Sequence, residues 1–219
     1  MVTKFKSSES TTLEDYRIAL DNAEAQPVIS FVMTELGYDS EELAKGKRLL
    51  ATTRQAYDAN KTEDDETSEA YADFSHKRAL LDDVFTMHRK KAKVVFRNDL
   101  LTADKLGLSN AKPRSYVKWI EAAKNFYNLA LADTEIQAKL GRLKLTAKDL
   151  KGASKLISEI ETARSLYLQE KGESQEATQI KDEAFYQIDD WMSEFFAVAK
   201  IALEDKPQLL ESLGKIVRN

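Results

Sequence analysis

Residues 81–107, LDDVFTMHRKKAKVVFRNDLLTADKLG, and residues 188–214, IDDWMSEFFAVAKIALEDKPQLLESLG, decide how the chain is read. Both carry an aspartate pair after an aliphatic residue, an Ala-Lys pair further on, and a closing Leu-Gly. Extended outward at the same offset of 107, residues 12–107 lie on residues 119–214 without a gap, and 18 of the 96 aligned pairs are identical. Leu36 meets Leu143, Leu43 meets Leu150 and Ala70 meets Ala177. The pattern reads as an internal duplication, copy 1 spanning 12–107 and copy 2 spanning 119–214.

Within each copy the apolar spacing is helical. Thr11 and Glu14 are spaced as a capping box opening a helix to Glu24, and Pro27 separates it from a short helix ending near Leu36. Asp39 with Glu42 has N-cap and N3 spacing, as does Thr146 with Asp149 in copy 2. A helix to about Lys61, a polar turn KTEDDE, and a longer helix from Glu66 to Arg97 are then expected, with Gly107 as a stop. Gly172 and Gly214 stand at the corresponding turn and stop of copy 2. Leu43, Leu50 and Tyr57 would face Phe74, Leu81, Val84 and Val95; in copy 2, Leu150, Ala153, Ile157, Ile160 and Tyr167 would face Ala184, Ile188, Trp191, Phe195 and Ala202. The expected fold is all-α, in a single domain. Two long helical hairpins, related by a pseudo-two-fold, form an elongated four-helix-bundle-like core with short flanking helices.

Composition agrees with helices and removes several kinds of chemistry. Of 219 residues only seven are glycine and three proline, too few for the turns of a β-sandwich or α/β barrel. Hydrophobic residues make up 42% and charged residues 32%. The absence of cysteine removes disulfides, zinc-thiolate sites and thiol nucleophiles. Lys and Arg number 33 against 37 Asp and Glu, and dividing the chain after Leu108 gives 16 against 20, then 17 against 17, so no basic half advertises nucleic acid. The opening MVTKFKSSESTT has no apolar signal core, and no run reaches the roughly 18 apolar residues of a membrane span. A cytoplasmic protein with no membrane association is expected.

Three segments carry a family resemblance. PRSYVKWIEAAKNFY (113–127), the long hairpin expected after LTAKDL (145–150), and DKPQLLESLGKIV (205–217) resemble a family of bacterial all-helical proteins without an assigned activity. The resemblance implies a helical fold in a bacterial cytosol and transfers no functional residue.

Helical geometry limits the candidate sites. A di-iron bundle centre needs two Glu-x-x-His pairs, whereas the only histidines are His76 and His88 and neither has glutamate three residues before it. His88 falls on the apolar stripe, which suits a core-edge ring with one nitrogen hydrogen-bonded. Asp82-Asp83 and Asp189-Asp190 could act as paired carboxylates, but their helical angles place them in water, Asp82 with Arg78 as an ordinary helix partner. Neither a Walker A nor a Gly-x-Ser-x-Gly pattern occurs. No catalytic residue, cofactor or metal is expected.

Interaction residues are the remaining candidates. In HRKKAKVVFR (88–97), Lys90, Lys93 and Arg97 project from the outer face, and a solvated helix end is favoured over a nucleic-acid ridge. Copy 2 replaces His88, Arg89 and Lys91 with Phe195, Phe196 and Val198. Phe196 is therefore expected against the 113–131 helix or at a homodimer interface, while a glutamate at Arg89 should cost little. The favoured function is a non-enzymatic helical protein acting by protein–protein contact, with a homodimer or another protein as partner. A small-molecule or metal site between the hairpins, and nucleic-acid binding through residues 88–97, are the alternatives.

Overall fold

The computed structural model describes residues 8–214; the first seven residues of the opening stretch and the last three of the 205–217 segment lie outside it. Seven α-helices follow in order: α1 (Glu9–Ala25), α2 (Pro27–Glu35), α3 (Ser40–Val95), α4 (Leu100–Lys105), α5 (Tyr116–Ala132), α6 (Thr134–Gly141) and α7 (Ala147–Ala202). A 3-10 turn, Pro207–Leu213, closes the series. Among the described residues all regular structure is helical, so the protein is all-α.

Most helix ends are where their capping residues put them. Asp39 Oδ1 accepts the amides of Glu41 and Glu42 at 2.9 and 3.0 Å, opening α3. Thr146 and Asp149 form a reciprocal box before α7, the Thr146 amide donating to Asp149 Oδ2 at 2.9 Å and the Asp149 amide to Thr146 Oγ1 at 3.3 Å. Pro27 sits in the first turn of α2, where its missing amide costs nothing. The start of α1 differs from the Thr11 box: Ser8 is the N-cap and accepts the Thr11 amide at 3.2 Å, three residues earlier.

The expected turns at 61–66 and Gly172 do not form; α3 and α7 are each one uninterrupted helix of 56 residues. KTEDDE contains neither glycine nor proline, and its Lys and Glu are good helix formers. Gly172 costs about 1 kcal/mol relative to alanine, too little to stop a helix anchored by packing on both sides. A helix that does not turn back cannot pack on itself, so the stripes expected to face each other within one copy find partners from the other.

The described chain divides into two compact units, unit 1 built from residues 8–64 and 173–214 and unit 2 from residues 65–172. Unit 1 thus holds α1, α2, the first part of α3, the last part of α7 and the 3-10 turn. Its core joins Leu20, Ile29, Met33, Tyr38 and Leu43 to Ile188, Met192, Phe195, Ala199 and Leu203. Thr53 Oγ1 donates to the Ala184 carbonyl and Asn60 Nδ2 to Thr178 Oγ1, both at 3.0 Å, tying α3 to α7 inside this unit.

Unit 2 holds the last part of α3, α4, α5, α6 and the first part of α7. Leu81, Phe85, Ala92 and Phe96 of α3 share its core with Phe126, Tyr127, Leu140, Leu145, Leu150 and Ile157. Thr67 Oγ1 donates to the Glu170 carbonyl at 3.0 Å, the matching link from α3 to α7. Adding 107 to the bounds of α1 and α3 gives the bounds of α5 and α7. Burial follows the same offset: Ile29 with Ile136, Leu43 with Leu150, Leu81 with Ile188 and Ala92 with Ala199 are all buried.

Candidate interaction face

The end of α3 in unit 2 sorts its cations by depth. Lys90, Lys93 and Arg97 are exposed, as their helical angles require. His88 and Arg89 are buried. The His88 ring shares a 3.0 Å hydrogen bond between Nδ1 and the Tyr127 hydroxyl, which is the core-edge arrangement its stripe position suggested. Burial pushes the His88 pKa down, helped by the charge of Lys91, and burial raises that of the Tyr127 hydroxyl.

Arg89 corrects the expectation of a tolerant surface position. Its guanidinium donates to the carbonyls of Gly107 and Asn110, each at 2.8 Å, and lies 5.5 Å from the centre of the Phe85 ring. The loop after α4 wraps back over this side of α3 and brings unpaired carbonyls with it, which helical angle alone does not reveal. Burial lowers the Arg89 pKa, and the two carbonyls stand in for a counter-ion.

Phe196 is buried, in keeping with the expectation that it is not openly solvated. In unit 1 its ring lies 6.4 Å from Tyr16 of α1 and 5.3 Å from Phe195. The last part of α7 belongs to this unit with α1 and α2, while α5 and the exposed cations belong to unit 2.

The aspartates are not idle surface groups either. Asp82 Oδ1 accepts the Trp119 indole N–H at 2.8 Å and the Lys112 ammonium at 2.6 Å, while Lys112 also reaches Thr86 Oγ1 at 2.7 Å. Asp189, its offset counterpart, accepts the Tyr16 hydroxyl at 2.8 Å. Each anchors a short helix to a long one, whereas Asp83 and Asp190 face solvent. Arg78, assigned to Asp82 by sequence spacing, instead lies 5.7 Å from the Trp119 ring centre. Short helices from the other copy cover the flank that angles alone left open.

A groove of about 340 Å³ remains at the end of α3, lined by Val94, Val95, Arg97, Asn98, Arg142 and Leu143. The structure thus adds Arg142 and Leu143, from the link between α6 and α7, to Arg97 from the sequence reading. Leu100 and Leu101 of α4 follow immediately and are exposed. Residues 88–105 and 139–151, which meet at this end of the unit, carry eleven Lys and Arg against three Asp and Glu. Unit 1 has the inverse character at the offset positions: Ile201 and Leu36 are exposed, and Glu204, Asp205 and Glu35 replace Arg97, Asn98 and Arg142. The aligned copies contain this signal: Arg97 falls within the 88–97 cluster, while Arg142, Glu35 and Glu204 stand outside it.

No helix among the described residues is long and apolar enough to cross a membrane. Compared with protein-family models, curated proteins and solved structures, the chain matches none.

Proposed function

We propose that the protein acts by protein–protein contact, without catalysis, through the face of unit 2 formed by the end of α3, α4 and the link between α6 and α7. One observation carries this reading: Val94 stands 60% exposed in a groove it lines with Arg97 and Arg142, and Leu100 and Leu101, which follow in the chain, stand 77% and 69% exposed. Clustered exposed aliphatics with a charged rim are what a docking surface requires. The titratable groups that suggested chemistry, His88, Asp82 and Asp189, are engaged in holding helices together. The coincident helix bounds and buried positions support an origin by duplication, with residues 12–107 and 119–214 as the two copies.

A photo-reactive residue at Leu101, compared with one at the exposed Lys155, tests the reading in cells. Protein adducts from 101 and not from 155 are expected. RNA or DNA adducts from 101 would favour the second reading, nucleic-acid binding, for which the ten cations of this end other than buried Arg89 are the supporting observation. An absence of adducts specific to 101 would remove both.

A further inference from the structure

We propose that the partner of the unit 2 face is a second copy of this chain, which presents the corresponding face of its unit 1. The inference rests on the protein-contact reading and names its occupant. At the groove, two pairs of offset counterparts keep their apolar character and two pairs of charged residues reverse their sign. Val94 and Leu143 correspond to Ile201 and Leu36, all four exposed. Arg97 and Arg142 correspond to Glu204 and Glu35, also exposed.

The supporting cores place these groups alike in the two units. In unit 2, Leu140, Leu145, Ala92 and Phe96 lie in one cluster beneath the groove. Their counterparts Met33, Tyr38, Ala199 and Leu203 lie together in the core of unit 1. Each face adds apolar groups that the other lacks: Leu100 and Leu101 stand where unit 1 has Pro207 and Gln208, and the exposed Phe31 of unit 1 stands where unit 2 has Ala138.

This combination favours unlike pairing. Two unit 2 faces brought together would set arginine against arginine, and two unit 1 faces glutamate against glutamate. A unit 2 face on a unit 1 face buries Val94, Leu143, Leu36 and Ile201 while matching Arg97 and Arg142 with Glu35 and Glu204. Such a contact is heterologous, so copies either close by each supplying both faces or extend head to tail. The charge partition of the whole chain points the same way: among described residues, unit 1 carries 9 Lys and Arg against 22 Asp and Glu, and unit 2 carries 20 against 15.

The test uses the purified full chain in sedimentation velocity across a concentration and salt series. The parent is expected to assemble as concentration rises and to dissociate with added salt. Arg97→Glu with Arg142→Glu should lose the assembled species over the range where the parent shows it, as should Glu35→Arg with Glu204→Arg. All four residues are exposed, and circular dichroism checks that the variants fold. Mixing the two double variants should restore assembly, because each mixed contact again sets opposite charges together. A parent that stays monomeric at low salt would overturn the proposal, as would double variants that assemble like the parent or fail to complement each other. A monomeric parent whose position 101 still yields adducts to a different protein would overturn self-assembly and leave the protein-contact reading standing.

Discussion

The indole of Trp191 fills the space that a side chain at Gly46 would need: a Cβ built there comes closer than 3.0 Å to three carbons of the ring. The ring cannot readily yield, since its N–H donates to Glu42 at 2.7 Å and Tyr38 and Phe195 stand against it with centroids 5.5 Å away. Hydrogen bonding from Trp191 also holds the Glu42 carboxyl below its ordinary pKa. At the offset positions unit 2 has Ala153 and Val84, a smaller ring-free side chain beside a larger backbone position.

Gly46→Ala is therefore expected to lower stability by about 1–3 kcal/mol through overpacking, although alanine is intrinsically the better helix former by about 1 kcal/mol. In a Trp191→Val background the same change should be neutral or stabilising. Urea melts of the four proteins in this cycle measure the coupling, and additive effects would contradict the steric account.

Arg89→Met should cost about 1–3 kcal/mol, because it keeps much of the apolar stem but leaves two carbonyls without donors. Arg89→Lys should recover only part, since one ammonium does not reproduce the planar fork that serves both Gly107 and Asn110. Thermal melts decide the order: parent, then Lys, then Met.

His88 sets a pH dependence whose sign follows from its burial. The native ring resists protonation, while the unfolded chain takes up the proton near the ordinary value of 6.5. The unfolded state therefore binds more protons below that value, and the contribution of His88, complete above it, declines as pH falls through the range beneath. His88→Phe, the residue copy 2 has at this position, should lose stability at every pH by breaking the bond to Tyr127. Its Tm should nonetheless vary less between neutral and mildly acidic buffer than that of the parent, and an unchanged slope would argue against the assignment.

Phe196→Glu should destabilise unit 1 by about 3–5 kcal/mol, by removing a packed ring and placing a carboxylate beside Tyr16 and Phe195. Phe196→Leu should cost far less. Denaturant melts compare them, and equal midpoints would mean that the position tolerates charge.

What was legible from residues alone were the local signals. Pro27, Asp39 and the Thr146–Asp149 pair set helix ends through their own backbones, so no knowledge of neighbours was required. The KTEDDE stretch does not show its own state, because a polar run without glycine or proline is equally at home in a turn and on a solvated helix face. Arg89 and Asp82 are covered in a way helical angle cannot show, since it reports direction and says nothing of what lies there; the loop after α4 and helix α5 supply that. For Phe196 the apolar surroundings on α7 show that the ring leaves solvent, while its neighbours Tyr16 and Phe195 depend on which helices share the unit. The charge asymmetry escaped for a related reason: the two halves of the sequence each mix residues of both units, and their totals average it away.

That same interleaving gives the two units different birthdays on the ribosome. Unit 2 is one uninterrupted stretch, residues 65–172, so everything its core requires is synthesised in sequence. Unit 1 is split, and α1, α2 and the start of α3 emerge long before residues 173–214 that cover them. Vectorial synthesis thus lets unit 2, the second to begin, close first. Leu20, Ile29 and Leu43 meanwhile wait uncovered for the last helical turns of the chain, and that interval is when the nascent protein most needs shelter from aggregation.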